Sequence, residues 1–172
     1  MTKLIIACGL PGTGKTTLAR KLSEKLKVFC LHKDSVKESL YDSMKMSTLE
    51  DSKKLGYPSV KVILDLAEEN LARGIDVILE SPFTFSEDGK IFKKWRKKYD
   101  LEIFSIILEI SANERKERMT NRERDKSHHD EKRLQNYVAT QCDFLHMPEK
   151  KIFLETNKDT SSLVKSILKE LL

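Results

Sequence analysis

Apolar residues follow two alternating patterns along the chain: short continuous runs, and longer stretches with apolar positions every three or four residues. Lys3–Cys8 carries Leu-Ile-Ile-Ala-Cys, apolar at every step, which predicts a strand covered on both faces. Val28–Leu31 and Ile152–Leu154 repeat that pattern, Ile75–Leu79 ends in the run Val77-Ile78-Leu79, and Leu101–Ile110 holds a strand around Phe104-Ser-Ile-Ile-Leu. Between them, Lys15–Leu26 places Leu18, Leu22 and Leu26 four apart and reads as a helix. A second helix is expected to start at Ser35, an N-cap with Glu38 as its capping-box partner. Further helices are expected over Pro58–Arg73, with Gly74 as the stop, and over Ile91–Tyr99, Ala112–Arg124, Glu131–Phe144 and Ser161–Leu172.

Alternating strands and helices predict an α/β fold, with a five-stranded parallel sheet and helices on both faces. With 172 residues, 39% of them hydrophobic, the chain suits one domain spanning 1–172. Ligands of such sheets bind at the carboxyl ends of the strands. Three segments directly follow strand ends here, Gly9–Thr17, His32–Lys37 and Glu80–Phe85, and they are expected to meet in space.

The first of these segments carries the most specific chemistry. Gly9-Leu10-Pro11-Gly12-Thr13-Gly14-Lys15-Thr16-Thr17 matches GxxxxGK[ST] between a strand and a helix. A chance match in a chain this long is on the order of 1%. Glycines let backbone N–H groups wrap phosphate oxygens, and the following helix points its positive end at them. Lys15 is expected on the β- and γ-phosphates of ATP, and the Thr16 hydroxyl on Mg²⁺. A guanine-reading Asn-Lys-x-Asp is missing, since Asn157-Lys158-Asp159 is one residue short, and there is no Asp-x-x-Gly. The run Val77-Ile78-Leu79 ends in Glu80-Ser81 rather than in the two carboxylates of a mechanical ATPase. Asp34, just past the second strand, is placed to take a proton from an acceptor hydroxyl or to hold Mg²⁺. The plainer alternative is that Asp34 only caps the helix at Ser35.

Net charge and cysteines narrow the setting. A charge of +5 suits an anionic ligand without demanding nucleic acid. No apolar run approaches the roughly 18 residues of a membrane span, and the N-terminal run meets Gly and Pro too soon for a signal peptide. A cytoplasmic protein with no membrane contact is expected. Cys8, Cys30 and Cys142 have no metal-binding spacing, and Cys8 and Cys30 read as buried free thiols.

On Gly9–Thr17, Asp34 with Lys37 and Leu40, Val77–Ser81 and Arg115–Arg124, the chain resembles small P-loop kinases over nearly its whole length. That family groups polynucleotide 5′-kinase, zeta toxin, chloramphenicol phosphotransferase and gluconate kinase. The resemblance implies that Asp34 is the general base and that Lys37 binds the acceptor, at a position where Arg is usual. It places Glu80 where the family often has Asp, here assigned to substrate binding. It makes residues 113–133 a lid, with Arg118 and Arg122 closing over the transferring group. It also implies that backbone groups of Glu155–Lys158 hold adenine. Arg115, Arg118 and Arg122 share one helix face, although eight Lys/Arg among six Asp/Glu in this segment also suit a solvated helix.

Two features bear on the acceptor. Lys90–Tyr99 is basic and aromatic, with Phe92, Trp95 and Tyr99 on a stripe expected to pack on the sheet and six basic residues facing water. A nucleic-acid acceptor needs that basic face beside the cleft. His128 and His129 are expected in a polar turn, exposed or facing the acceptor rather than binding metal. The reading is an ATP-dependent kinase acting on a hydroxyl of a small metabolite, with nucleic-acid ends less favoured. The alternatives are a nucleotide kinase with a phosphate acceptor, and a module that binds ATP and hydrolyses it slowly.

Overall fold

The computed structural model describes residues 1–121, 125–129, 141–148, 150–156 and 159–171. Its strands are β1 (Thr2–Gly9), β2 (Phe29–His32), β3 (Val77–Glu80), β4 (Leu101–Glu109) and β5 (Lys151–Glu155). They form one parallel sheet in the order β2-β3-β1-β4-β5. The helices are α1 (Lys15–Leu26), α2 (Lys33–Ser43), α3 (Leu49–Lys54), α4 (Gly56–Leu71), α5 (Ser86–Lys98), α6 (Ala112–Asn121) and α7 (Thr160–Leu171). A 3₁₀ turn covers Lys126–His128.

Strand β1 shows why its run is apolar at every step. Leu4, Ile6 and Cys8 point into a core completed by Ile63, Ala67 and Leu71 of α4 and Phe92 and Trp95 of α5. Ile5 and Ala7 point the other way, onto Leu18 and Leu22 of α1 and Leu163 and Ile167 of α7. Each face of the sheet therefore carries its own helical layer, and period-two alternation sorts the residues between them. Phe92 and Trp95 are buried, with rings 5.7 Å apart, and Tyr99 is partly buried, so the aromatic stripe of α5 packs as expected. Lys90, Lys93, Lys94, Arg96, Lys97 and Lys98 are exposed.

Several boundaries differ from the sequence reading. Helix α2 begins at Lys33, so Ser35 lies inside it, and its N-cap position, His32, has no side-chain cap. Helix α4 begins at Gly56 and holds Pro58 within its first turn, where a missing N–H costs no intrahelical bond. Helix α3 was not anticipated. Thr48 and Asp51 form its capping box, with the Asp51 N–H donating to Thr48 Oγ1 at 3.1 Å. Gly74 takes φ 76°, and its N–H donates to the Leu71 carbonyl, closing α4 as expected. Most of the expected Glu131–Phe144 helix lies outside the described residues. Its end is not helical, and Phe144 sits in the left-handed region at φ 55°.

Candidate active site

The three strand-end segments meet at one edge of the sheet. Register places His32 of β2 beside Glu80 of β3, and Ala7 of β1 beside Glu80 on the other side. The Gly9 N–H donates to the Pro82 carbonyl at 3.4 Å, tying the start of the phosphate loop to the segment after β3.

The loop needs its glycines for two separate reasons. Gly9, Gly12 and Gly14 have φ of 145°, 88° and 90°, a region that strains residues with a Cβ. Space is also short: a Cβ on Gly9 would lie 2.5 Å from the Leu108 carbonyl oxygen, and one on Gly12 would lie 3.0 Å from Met119 Cγ. Thr13 folds back on the loop, its hydroxyl donating to the Leu10 carbonyl at 2.9 Å. Lys15 is largely buried, and Nζ donates to the same carbonyl at 3.1 Å.

Beside the loop lies a cleft of about 270 Å³. Pro11, Gly12, Gly14, Lys15, Thr16 and Thr17 form its phosphate side. Lys33, Asp34 and Lys37 of α2, with Ser52 and Lys53 of α3, form the opposite side. Glu80 and His128 complete it. Asp34 Oδ1 lies 3.2 Å from Lys33 Nζ. Buried Glu80 lines the same cleft as the acceptor candidates, and its polar contacts run to Thr16 and His32. Oε2 accepts from the Thr16 hydroxyl at 3.3 Å and lies 3.3 Å from His32 Nδ1. Two oxygens from different elements thus face each other where the motif expects Mg²⁺, and hard oxygen donors suit that ion. The described residues contain no group of three or more His, Cys, Asp or Glu able to hold a metal without such help.

The lid candidates divide between two sides of the loop. Arg118 of α6 donates through Nη2 to the Thr156 carbonyl at 2.6 Å and through Nη1 to Thr156 Oγ1 at 3.2 Å. It borders a second cavity, of about 440 Å³, with Gly14, Thr17, Thr156 and Asp159. This cavity continues the phosphate loop toward the end of β5, the side expected to take adenine, although residues 157–158 lie outside the described set. Arg115 is buried instead beside a separate cavity of about 520 Å³ lined by Leu10, Thr13 and Glu155. Arg122 lies outside the described residues.

Three groups in or beside the cleft were missed or left open by sequence reasoning. His32 was not singled out. Ser52 sits on a helix that was not foreseen, although the Thr48–Asp51 capping box was there to be read. His128 is buried rather than exposed, and faces the acceptor side. The exposed basic face of α5 contributes nothing to the cleft's lining. That helix carries the chain from the site edge back to the start of β4, so its basic residues run away from the cleft.

Fold and loop together define a P-loop protein of the small-kinase type. The chain belongs to the AAA domain family (AAA_33), whose model matches residues 4–141. Among solved structures, a protein from Chloroflexus aurantiacus j-10-fl, described as a kinase with no substrate named, is 25% identical over 99% of both chains, with a TM-score of 0.81. A gluconokinase from Sinorhizobium meliloti 1021 is 17% identical over 99% of this chain and 91% of its own, with a TM-score of 0.64. The APS kinase CysC of Mycobacterium tuberculosis, solved with AMPPNP and APS, is 12% identical over 99% and 96%, with a TM-score of 0.64. The last two share the fold. A search of curated proteins found no match. Among the described residues, no helix is long and apolar enough to cross a membrane.

Proposed function

We propose that the chain is an ATP-dependent phosphotransferase that moves the γ-phosphoryl group onto a hydroxyl of a small acceptor, as a single domain working in the cytoplasm. The observation that carries this reading is one cleft with the phosphate loop on one wall and Asp34 on the other. Loose phosphoryl-transfer transition states ask the protein mainly for positioning and charge stabilisation. The loop amides and Lys15 hold the β- and γ-phosphates, and the Arg118 side of the loop receives the nucleoside. Asp34 accepts the proton of the acceptor hydroxyl as its oxygen bonds to the γ-phosphorus. The bond from that phosphorus to the bridging oxygen breaks, and ADP leaves. Thr16 and Glu80 would hold Mg²⁺, directly or through its waters. Bound there, the ion would neutralise charge on the β- and γ-oxygens. Arg122 stays a candidate for contact with the transferring group.

The test is transfer of label from γ-labelled ATP to a panel of alcohols by the wild type and by Lys15→Ala. Labelled product from the wild type alone, together with weakened Mg·ATP binding in the variant, is the expected result. Undiminished Mg·ATP affinity in Lys15→Ala overturns the nucleotide assignment. Mg·ATP binding and slow hydrolysis, with no labelled alcohol from the whole panel, would instead favour a binding module.

A further inference from the structure

Past Asp34 the cleft ends in three buried polar side chains from three separate elements. Lys37 of α2 is 1% exposed, Ser52 of α3 is 0% exposed and His128 of the 3₁₀ turn is 2% exposed. All three line the cleft. Lys37 Nζ donates to Ser52 Oγ at 2.7 Å. The Ser52 oxygen is therefore used as an acceptor, and its own proton has no acceptor among the described residues. Two other helical serines, Ser59 and Ser166, behave differently. The Ser59 hydroxyl returns to the Leu55 carbonyl at 2.7 Å, and Ser166 returns to Leu163 at 2.8 Å. That local bond is the usual fate of a serine hydroxyl within a helix. Ser52 instead holds an O–H donor, polarised by an adjoining ammonium, at the wall of the cleft.

Ammonium and hydroxyl in contact make a two-point site for an oxyanion, because charge-assisted hydrogen bonds are the strong ones. Burial sharpens this, since a buried donor left without an acceptor costs free energy that a ligand oxygen recovers. Position agrees. Asp34 and Lys37 are one turn apart on α2, which sets their Cβ atoms roughly 5–6 Å apart. An acceptor anchored at Lys37 through one end therefore presents a nearby hydroxyl to Asp34. The cleft's volume of about 270 Å³ suits a small acceptor.

We infer that Lys37 and Ser52 form an oxyanion subsite, and that the acceptor is a small alcohol carrying a carboxylate or phosphate a few bonds from the reacting hydroxyl. This rests on the phosphotransferase reading and adds the acceptor's chemical class to it.

Binding and transfer are measured separately. With Mg·AMPPNP in the nucleotide site, calorimetry compares glycerate and glycerol 3-phosphate with glycerol, and a sugar acid with its parent sugar, at millimolar concentration. At least one anionic member should bind while its neutral partner does not. Ser52→Ala should weaken that binding roughly tenfold, the scale of one hydrogen bond to a charged group. Lys37→Met, similar in length but uncharged, should abolish it. The comparison of carboxylate with phosphate identifies which oxyanion is taken. Binding by none of the anions, equal binding of the neutral partners, or unchanged binding in both variants overturns the subsite. γ-labelled ATP then tests the underlying reading. A neutral alcohol phosphorylated as fast as its anionic partner keeps the kinase and removes the subsite. An anion that binds through Lys37 yet receives no label keeps the subsite and counts against transfer.

Discussion

The Thr16 hydroxyl donates to Glu80 Oε2 at 3.3 Å, joining the first turn of α1 to the end of β3. Neither residue has a reason to face the other for packing alone. Glu80 is buried, and a buried carboxylate is costly unless its oxygens are occupied. Thr16 and His32 occupy one of them. Glu80→Gln keeps the shape and an acceptor oxygen but removes the charge. We expect Mg·ATP affinity to fall about tenfold, near 1.4 kcal/mol, with partial recovery as Mg²⁺ is raised. Calorimetry across a Mg²⁺ series checks this, and a loss independent of Mg²⁺ would place Glu80 on the acceptor instead.

Asp34→Asn separates chemistry from binding. A general base contributes roughly 10²–10⁴-fold. Transfer should fall by that order while Mg·ATP affinity stays within a few fold. Asp34 lies in the first turn of α2, where a carboxylate contributes about 0.3–1 kcal/mol through the helix dipole. Stability should therefore change by no more than about 1 kcal/mol. Turnover and affinity measured on the same variant decide the matter. A parallel fall in both would make Asp34 an organiser of Mg²⁺.

Gly89 tests the packing of residues 141–148. It lies inside α5, where Ala normally gains up to about 1 kcal/mol over Gly. A Cβ there would sit 2.0 Å from the His146 carbonyl oxygen and 2.8 Å from its carbon. Backbone atoms cannot swing away as a flexible side chain can, and overpacking costs about 1–3 kcal/mol. The clash outweighs the propensity, so Gly89→Ala should lower the urea midpoint. A raised midpoint would mean that residues 141–148 do not pack on α5 in this way.

The thiols give a prediction in pH. Burial pushes both Cys8 and Cys30 up from the ordinary 9.0 to about 12. The folded chain then keeps protons that the unfolded chain has already lost. Stability from these groups is complete below pH 9 and declines as pH rises toward about 12. At pH 8 both should react with iodoacetamide far more slowly in the folded chain than in urea. Cys8 is buried as expected, whereas Cys30 is only half-buried, so rapid labelling under native conditions would contradict the burial of the first and the raised thiol of the second.

Much of this was legible because the signals are local. The phosphate loop is spelled by glycines at fixed spacing, and each strand of the core by a run of apolar residues. The limits of α2 were harder. Ser35 and Glu38 looked like a capping box, but the helix starts earlier at Lys33, directly off β2. Helix α3 is only six residues long and almost wholly polar, so its capping box had no apolar stripe to support it. The Lys37–Ser52 contact depends on that helix. His128–Glu38, across 90 residues, and His32–Glu80, across 48, are set by strand order and loop path. No spacing rule encodes such pairs.

The strand order β2-β3-β1-β4-β5 has a consequence for how this enzyme class can diversify. Because β1 lies between β3 and β4, its loop divides the sheet edge into two territories. Arg118, Thr156 and Asp159 stand on the β4–β5 side, and Asp34, Lys37 and Ser52 on the β2–β3 side. If the proposed function holds, residues 37–54 can therefore change by mutation and alter which acceptor is recognised, while Asp34 and the residues proposed to grip the nucleotide stay in place.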